Sequence, residues 1–165
     1  MQPPYLDRMI RLADEFFATR SDPTQLAVTD DVMTRLRGLH PATLNDHDEG
    51  KGPVAWILVI PTTRDIADRF VAGSITEREL YEQTLPGAVF ASIYLCSALV
   101  LPEFRGRGLA RGLTLRAIDA IRGDHPIERL CTWAFSREGL HLAESVAKEA
   151  GLPLDIRVHQ HAGPP

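Results

Sequence analysis

Apolar residues recur near the start of the chain at Leu6, Met9, Ile10, Ala13, Phe16 and Phe17. That spacing marks one face of a helix and predicts an amphipathic helix over residues 5–19. Ser21-Asp22-Pro23 breaks it. A second helix is expected before His40-Pro41, with Val32, Met33 and Leu36 turned inward. Thr29 suits its N-cap. Asp30 and Asp31 suit its first turn, where unpaired N–H groups favour negative charge. Residues 45–53 (NDHDEGKGP) read as a polar loop.

The period then changes. Residues 54–60 (VAWILVI) are β-branched and aromatic between Pro53 and Pro61, which predicts a buried strand. A short helix is expected over 63–71. Thr76 and Glu79 have the spacing of a capping box for a helix that runs to Gln83 and stops at Leu85-Pro86-Gly87. Residues 89–101 are long enough for one strand, or for two with a bulge. Ala110, Leu113, Thr114, Ala117, Ile118 and Ile121 then share a helix face opposite Arg111, Arg116, Asp119 and Arg122, and Gly123 is expected to close that helix. A strand over 130–135 follows, then a helix capped by Ser136 and ended at Gly151, then a strand over 154–158. The residues from His159 are expected to fray. The order α-α-β-α-α-β-α-β-α-β predicts a mixed α/β fold, a central mixed sheet flanked by helices on both faces. Residues 89–135 should form a parallel, right-handed strand-helix-strand unit.

The 165 residues are one domain's worth, and 44% apolar with 24% charged residues excludes a disordered segment. Eighteen Lys and Arg against 22 Asp and Glu give a net charge of −4, which argues against nucleic-acid binding. Cys96 and Cys131 sit in apolar stretches and make no disulfide framework, so a cytoplasmic location is expected. The longest apolar run, 87–101, contains Ser92 and Ser97 and meets Pro102, too short and polar to cross a membrane. Pro3, Pro4 and Asp7 read as no secretion signal.

Candidate chemistry concentrates in residues 99–110 (LVLPEFRGRGLA). A strand ends at Pro102, a loop carries Gly106 and Gly108, and a helix starts near Leu109. Such a corner directs backbone N–H groups and the positive end of a helix dipole at one ligand, the arrangement that holds phosphate. Arg105, Arg107 and Arg111 add cations. The other reading is a strand-turn-helix corner with solvated arginines. The glycine spacing is not that of a dinucleotide fold, and no Gly-Lys-Ser/Thr follows as in a nucleotide-triphosphate loop.

The run Val100-x-Pro102-x-x-Arg105-Gly106-x-Gly108-Leu109-Ala110 resembles the acetyl-CoA signature of the GNAT N-acetyltransferase family. Arg105-x-x-Gly108-x-Ala110 fits that family's Gln/Arg-x-x-Gly-x-Gly/Ala core. The resemblance runs less clearly through residues 132–152, and so spans the chain from about Val54 onward. It implies a GNAT-like acyl-CoA N-acyltransferase fold over 1–165, with a helical, acceptor-side part at 1–50 and a cofactor-binding sheet core at 54–158. It implies acetyl-CoA as cofactor and direct acetyl transfer to a primary amine of a small molecule or peptide. Backbone groups of Ala98, Leu99 and Val100 would pair with the pantetheine arm. Backbone N–H groups of Gly106, Arg107, Gly108, Leu109, Ala110 and Arg111 would hold the pyrophosphate, with Arg105 beside them. In relatives, two helices before the sheet often shape the acceptor pocket.

In the second block the family's Asn-x-x-Ala-x-x-Leu-Tyr-x-x-x-Gly-Phe falls on Leu140, Ala143, Val146, Ala147, Gly151 and Leu152. The position of the family's usual tyrosine acid is therefore Ala147. Candidates for proton transfer are Ser136, Glu49 and His141. Their other readings are a helix cap, a solvated loop and a surface imidazole. His159-x-His161 lacks the partners of a metal site, and no metal is expected. Trp56 and Trp133 should pack on neighbouring strands or line an acceptor pocket, and Cys131 reads as a buried structural thiol. The alternative function is a catalytically inactive acyl-CoA-binding module with a sensing or interaction role. A different phosphate-ligand enzyme is a third reading. The oligomeric state is open, a homodimer included.

Overall fold

The apolar run after Pro53 sets the centre of the molecule. In the computed structural model, which describes residues 4–18, 26, 29–134 and 136–158 (backbone alone at 17 and 18), this run is β2, Pro53–Thr62. Before it come α1 (Pro4–Ala18), α2 (Asp30–Leu39) and β1 (Leu44–Asp48). After it come α3 (Arg64–Val71), α4 (Glu77–Gln83), β3 (Ser92–Val100) and α5 (Leu109–Asp124). The described chain finishes with β4 (Arg129–Thr132), α6 (Arg137–Ala150) and β5 (Leu154–Ile156). The strands form one mixed sheet in the order β1-β2-β3-β4-β5. β1, β2 and β3 are antiparallel neighbours, while β3, β4 and β5 run parallel.

Register assigns the faces. Trp56 lies opposite Leu99 and Ile60 opposite Tyr94, so these four share one side. α1 covers that side through Met9, packed with Val54, Leu99, Leu101 and Phe104. α3 reaches the same side, where the Phe70 and Tyr94 rings stand 4.7 Å apart. Ile57 and Ala98 point the other way, toward α5 and its buried Leu113, Ala117, Ile118 and Ile121. α6 packs beside α5, tied to it by Arg111 and Glu149 at 2.9 Å.

Local signals explain most element ends. The Thr29, Thr63, Thr76 and Ser136 side chains each accept a backbone N–H in the first turn of their helices. Thr76 and Glu79 complete the capping box, and Gly151 ends α6 at φ 68°, a conformation that favours glycine.

The differences are instructive. Residues 44–48 form an edge strand rather than a loop, because the free edge of β2 needs hydrogen-bond partners that polar residues supply as well as apolar ones. Only the tip turns. There the Asp48 carboxylate accepts from the Gly50 and Gly52 amides at 2.6 and 3.2 Å. Gly123 does not close α5. The helix runs through it to Asp124, and the His125 amide donates to Ile121. The last two strands are shorter than the apolar pattern, ending at Thr132 and Ile156. Thr19, Phe135, His159 and His161 lie outside the described residues.

Two buried charges tie the layers together. Glu77 is 1% exposed and accepts from the Leu26 amide at 2.7 Å and the Tyr94 hydroxyl at 2.5 Å. The Arg157 guanidinium donates to the Phe70 and Ile75 carbonyls and lies over the Phe70 and Trp133 rings at 4.6 and 4.7 Å. Burial lowers its pKa from the ordinary arginine value.

Cys131 is wholly buried, and desolvation pushes its thiol from an ordinary 9.0 up to about 12. A pKa raised on folding stabilises below the unfolded value and loses that contribution as pH climbs through the folded one. Stability should therefore fall between about pH 9 and 12, with Cys131 contributing up to about 1.4 kcal/mol per pH unit. Denaturant titrations of wild type and Cys131→Ala across that range should show a shallower decline in the variant.

Candidate functional site

The site begins where two parallel strands part. β3 and β4 pair from Ser92–Arg129 to Leu95–Thr132, where β4 ends. At the same level β3 carries one residue too many. Ser97 lies opposite Leu58 and Leu95 opposite Val59, so Cys96 is a bulge. Beyond it β3 continues to Val100 with β2 on one side and no strand on the other among the described residues. The opening is a cleft of about 540 Å³, within the usual range for a small-molecule site. One wall is the backbone of residues 95–100. The opposite wall is Thr132, Trp133 and Ala134 with Ser136, Glu138 and Gly139 of the α6 start. Leu142, Ala143 and Val146 give an apolar lining. An unpaired strand edge facing apolar side chains suits an extended ligand that carries amides.

The buried carboxylate of Glu77 stands behind the bulge. Its Oε2 takes the Tyr94 hydroxyl and lies 3.9 Å from Cys96 Sγ. That contact sets the bulge against the first residue of α4.

At the end of β3 the chain makes one 3-10 turn, Pro102–Phe104, and then turns through Gly106 and Gly108 into α5. These glycines have φ of 78° and 74°, the left-handed region closed to most side chains. No atom lies within 4 Å of where a Cβ would stand on either. Gly108 is the N-cap of α5 and offers no side-chain acceptor, and the first helical bond is Gly112 N–H to the Gly108 carbonyl at 2.9 Å. The amides of Leu109, Ala110 and Arg111 are thus left without intrahelical acceptors, at the positive end of a 16-residue helix.

The nearby cations are employed within the protein. The Arg105 guanidinium donates to the Val100 carbonyl at 3.0 Å, across the free edge of β3. Arg107 donates to the Glu103 carbonyl and lies 4.9 Å over the Phe104 ring. Arg111 donates to Ser145 and Glu149 on α6. The corner's main feature is therefore its open backbone.

Of the residues singled out in the sequence, Ala98, Leu99, Val100, Arg105 and Ala110 line the cleft. Gly106, Arg107, Gly108, Leu109 and Arg111 build the exposed corner where α5 starts. Ser136 lines the cleft while its hydroxyl accepts the Gly139 amide at 3.0 Å, so it is occupied as a cap. Glu49 is exposed beyond β1, paired with His47 at 3.0 Å, and His141 is exposed on α6; neither lines the cleft. Ala147 is buried among core side chains. Trp56 and Trp133 belong to β2 and to the residue after β4, with β3 between them. Sequence reasoning missed Cys96, Thr132 and Glu138. The length of the 89–101 run allowed a bulge but nothing in it marked Cys96 as the place, and Glu138 carries no spacing that distinguishes it from a surface carboxylate. Among the described residues, no cluster of three His, Cys, Asp or Glu could hold a metal, and no helix is long and apolar enough to cross a membrane.

A second cavity of about 430 Å³ opens on the α1 side of the sheet, between α1, α2, β1 and β2. Leu58, Ser97 and Leu99 line both cavities, so the two meet just past the bulge.

No protein-family model and no curated protein matches the sequence. One solved structure, an integron cassette protein from the mobile metagenome of Cole Harbour Salt Marsh, aligns over 100% of this chain and 90% of its own. The identity is 16% and the TM-score 0.45, too distant to bear on function.

The two thiols should differ in reactivity. Cys96 is half-buried in the cleft wall, whereas Cys131 is fully buried with its thiol held neutral. Iodoacetamide at pH 8 should alkylate Cys96 alone in the native protein and both cysteines in denaturant, as read by peptide mass spectrometry.

Proposed function

We propose that this chain is an acetyl-CoA-dependent N-acetyltransferase of the GNAT type that transfers an acetyl group directly to a primary amine. The observation that carries the reading is the continuity of the cleft between β3 and β4 with the open amide corner at residues 106–111. A long ligand with a diphosphate at one end and an amide-bearing arm at the other matches both parts. The fit rests on the two glycine positions, where a side chain would project into open space that a phosphate can fill.

Bound in this way, acetyl-CoA would supply an activated acetyl thioester. The unpaired backbone of β3 beyond Cys96 would hold the pantetheine arm as an added strand. Arg105 would give up its bond to the Val100 carbonyl or bridge above it. A β3 amide beside the bulge would donate to the thioester oxygen as charge develops there. The acceptor would come through the second cavity, shaped by α1 and α2, and meet the thioester at Ser97. Ala147 supplies no proton. A departing thiol of pKa near 8.5 is a tolerable leaving group at neutral pH, so its protonation can fall to water.

The second reading, a binding module without catalysis, is favoured by one observation. Ala147, at the position of the family's usual tyrosine acid, is buried among core side chains and has no proton to give.

Calorimetry should show coenzyme A binding more tightly than adenosine diphosphate, and coenzyme A should protect Cys96 from iodoacetamide. Gly108→Trp should abolish binding with the circular dichroism unchanged, while Arg105→Ala should cost about 1 kcal/mol or less, because most contacts at the corner are to backbone. Equal affinity for the diphosphate alone would point to a different phosphate ligand. Free-thiol release from acetyl-CoA with an amine panel separates the enzyme from the inactive module.

A further inference from the structure

The second cavity has its own chemistry, and we infer that it selects a primary amine on an apolar body of aromatic size, in preference to a polycation or an amino acid. This rests on the acetyltransferase reading for the role of the amine, but the recognition can be measured without it. The lining is mostly apolar: Ala13 and the exposed Ile10 come from α1, Met33 from α2, and Leu44 and Trp56 from the sheet, with Asn45 and Ser97 the neutral polar residues. The charges stand at the exposed rim. Asp14 on α1, Arg37 on α2 and Asp46 on β1 are all exposed, and no ion pair joins any two of them.

Register gives the dimensions. Asp46 lies opposite Trp56, and Trp56 opposite Leu99, on the same face of three adjacent strands. Asp46 is thus two strands, roughly 10 Å, from β3. Asp46 therefore cannot hold an amine that sits at Ser97. The rim carboxylates can attract a cation to the entrance. Inside, contact with Trp56 and the aliphatic wall replaces water, and desolvation lowers the pKa of an ammonium group. An amine that travels from rim to interior arrives as the neutral nucleophile that acyl transfer needs. The ammonium proton leaves to water at the rim, the nitrogen lone pair forms the new C–N bond as the C–S bond breaks, and the proton the nitrogen then sheds passes through water to the departing thiolate.

A polycation fits poorly, because its further ammonium groups would occupy the apolar interior or approach Arg37. An amino acid would place both of its backbone charges at the rim and leave its α-amine far from Ser97. A single amine on an apolar body meets neither obstacle.

The chain has two tryptophans, one in each cavity, which gives each a separate reporter. In the full-length Trp133→Phe protein, 2-phenylethylamine should quench Trp56 fluorescence with a Kd about tenfold below those of spermidine and lysine. Asp46→Asn should raise that Kd about three- to fivefold and flatten its salt dependence, whereas Glu15→Gln, on α1 and outside the cavity, should not. The Trp56→Phe protein keeps Trp133 and reports coenzyme A in the cleft. Spermidine or lysine binding as tightly as 2-phenylethylamine overturns the inference. So does an unresponsive Trp56 when coenzyme A still quenches Trp133. Loss of the coenzyme A response with amine binding intact overturns the acetyltransferase reading and leaves this selectivity standing.

Discussion

The molecule depends on one interruption of its sheet. Parallel strands with a helix between them normally stay paired along their length, because every unpaired amide and carbonyl left in the interior is costly. Here β3 runs on past the last residue of β4, and the bulge at Cys96 bends it away. The cost is limited in two ways. The exposed edge faces a cleft open to solvent, and one of its carbonyls takes the Arg105 guanidinium. What remains is a length of backbone with hydrogen-bonding capacity and apolar surroundings.

The rest of the fold holds that opening in place. Glu77 is the strongest restraint. A carboxylate buried to 1% exposure is costly unless it is hydrogen-bonded, and its partners come from two separate parts of the chain: the Leu26 amide, and the Tyr94 hydroxyl and Cys96 thiol of β3. Arg157 works at the other side. It stacks on Phe70 and Trp133 and so braces the residue that begins the far wall of the cleft. Arg111 bonds to Ser145 and Glu149, which fixes α6, and with it Ser136 and Glu138, relative to α5. The same α5 presents its first amides at the corner, so one helix carries the corner and the tie to the far wall of the cleft.

Legibility in the sequence followed the range of the interactions. Helix caps, the capping box, the strand after Pro53 and the glycine corner depend on residues a few positions apart, and all were readable. β1 was not, because its strand character comes from the edge of β2 and not from its own residues Asn45, Asp46 and Asp48. Gly123 misled for a related reason. A glycine ends a helix only where the backbone turns left-handed, and here the helix continues to a C-cap at His125. The cleft's strand wall at Ala98 to Val100 was legible through the family resemblance. Its opposing wall was not, since Thr132 and Glu138 reach β3 only after the chain has crossed α5 and returned. Glu77 stood in plain view as the first residue of a predicted helix, but nothing local distinguishes a buried carboxylate there from an exposed one.

The central claim is that the backbone of the corner and of the parted strand, rather than any side chain, forms the cofactor site. Amide chemical shifts report that directly. On titration of the nitrogen-15-labelled protein with coenzyme A, the largest shifts should fall on the amides of residues 96–100 and 106–111, with the opposite sheet edge at β1 unmoved. Saturating coenzyme A that leaves those two stretches unshifted, or that shifts another surface instead, would contradict the account.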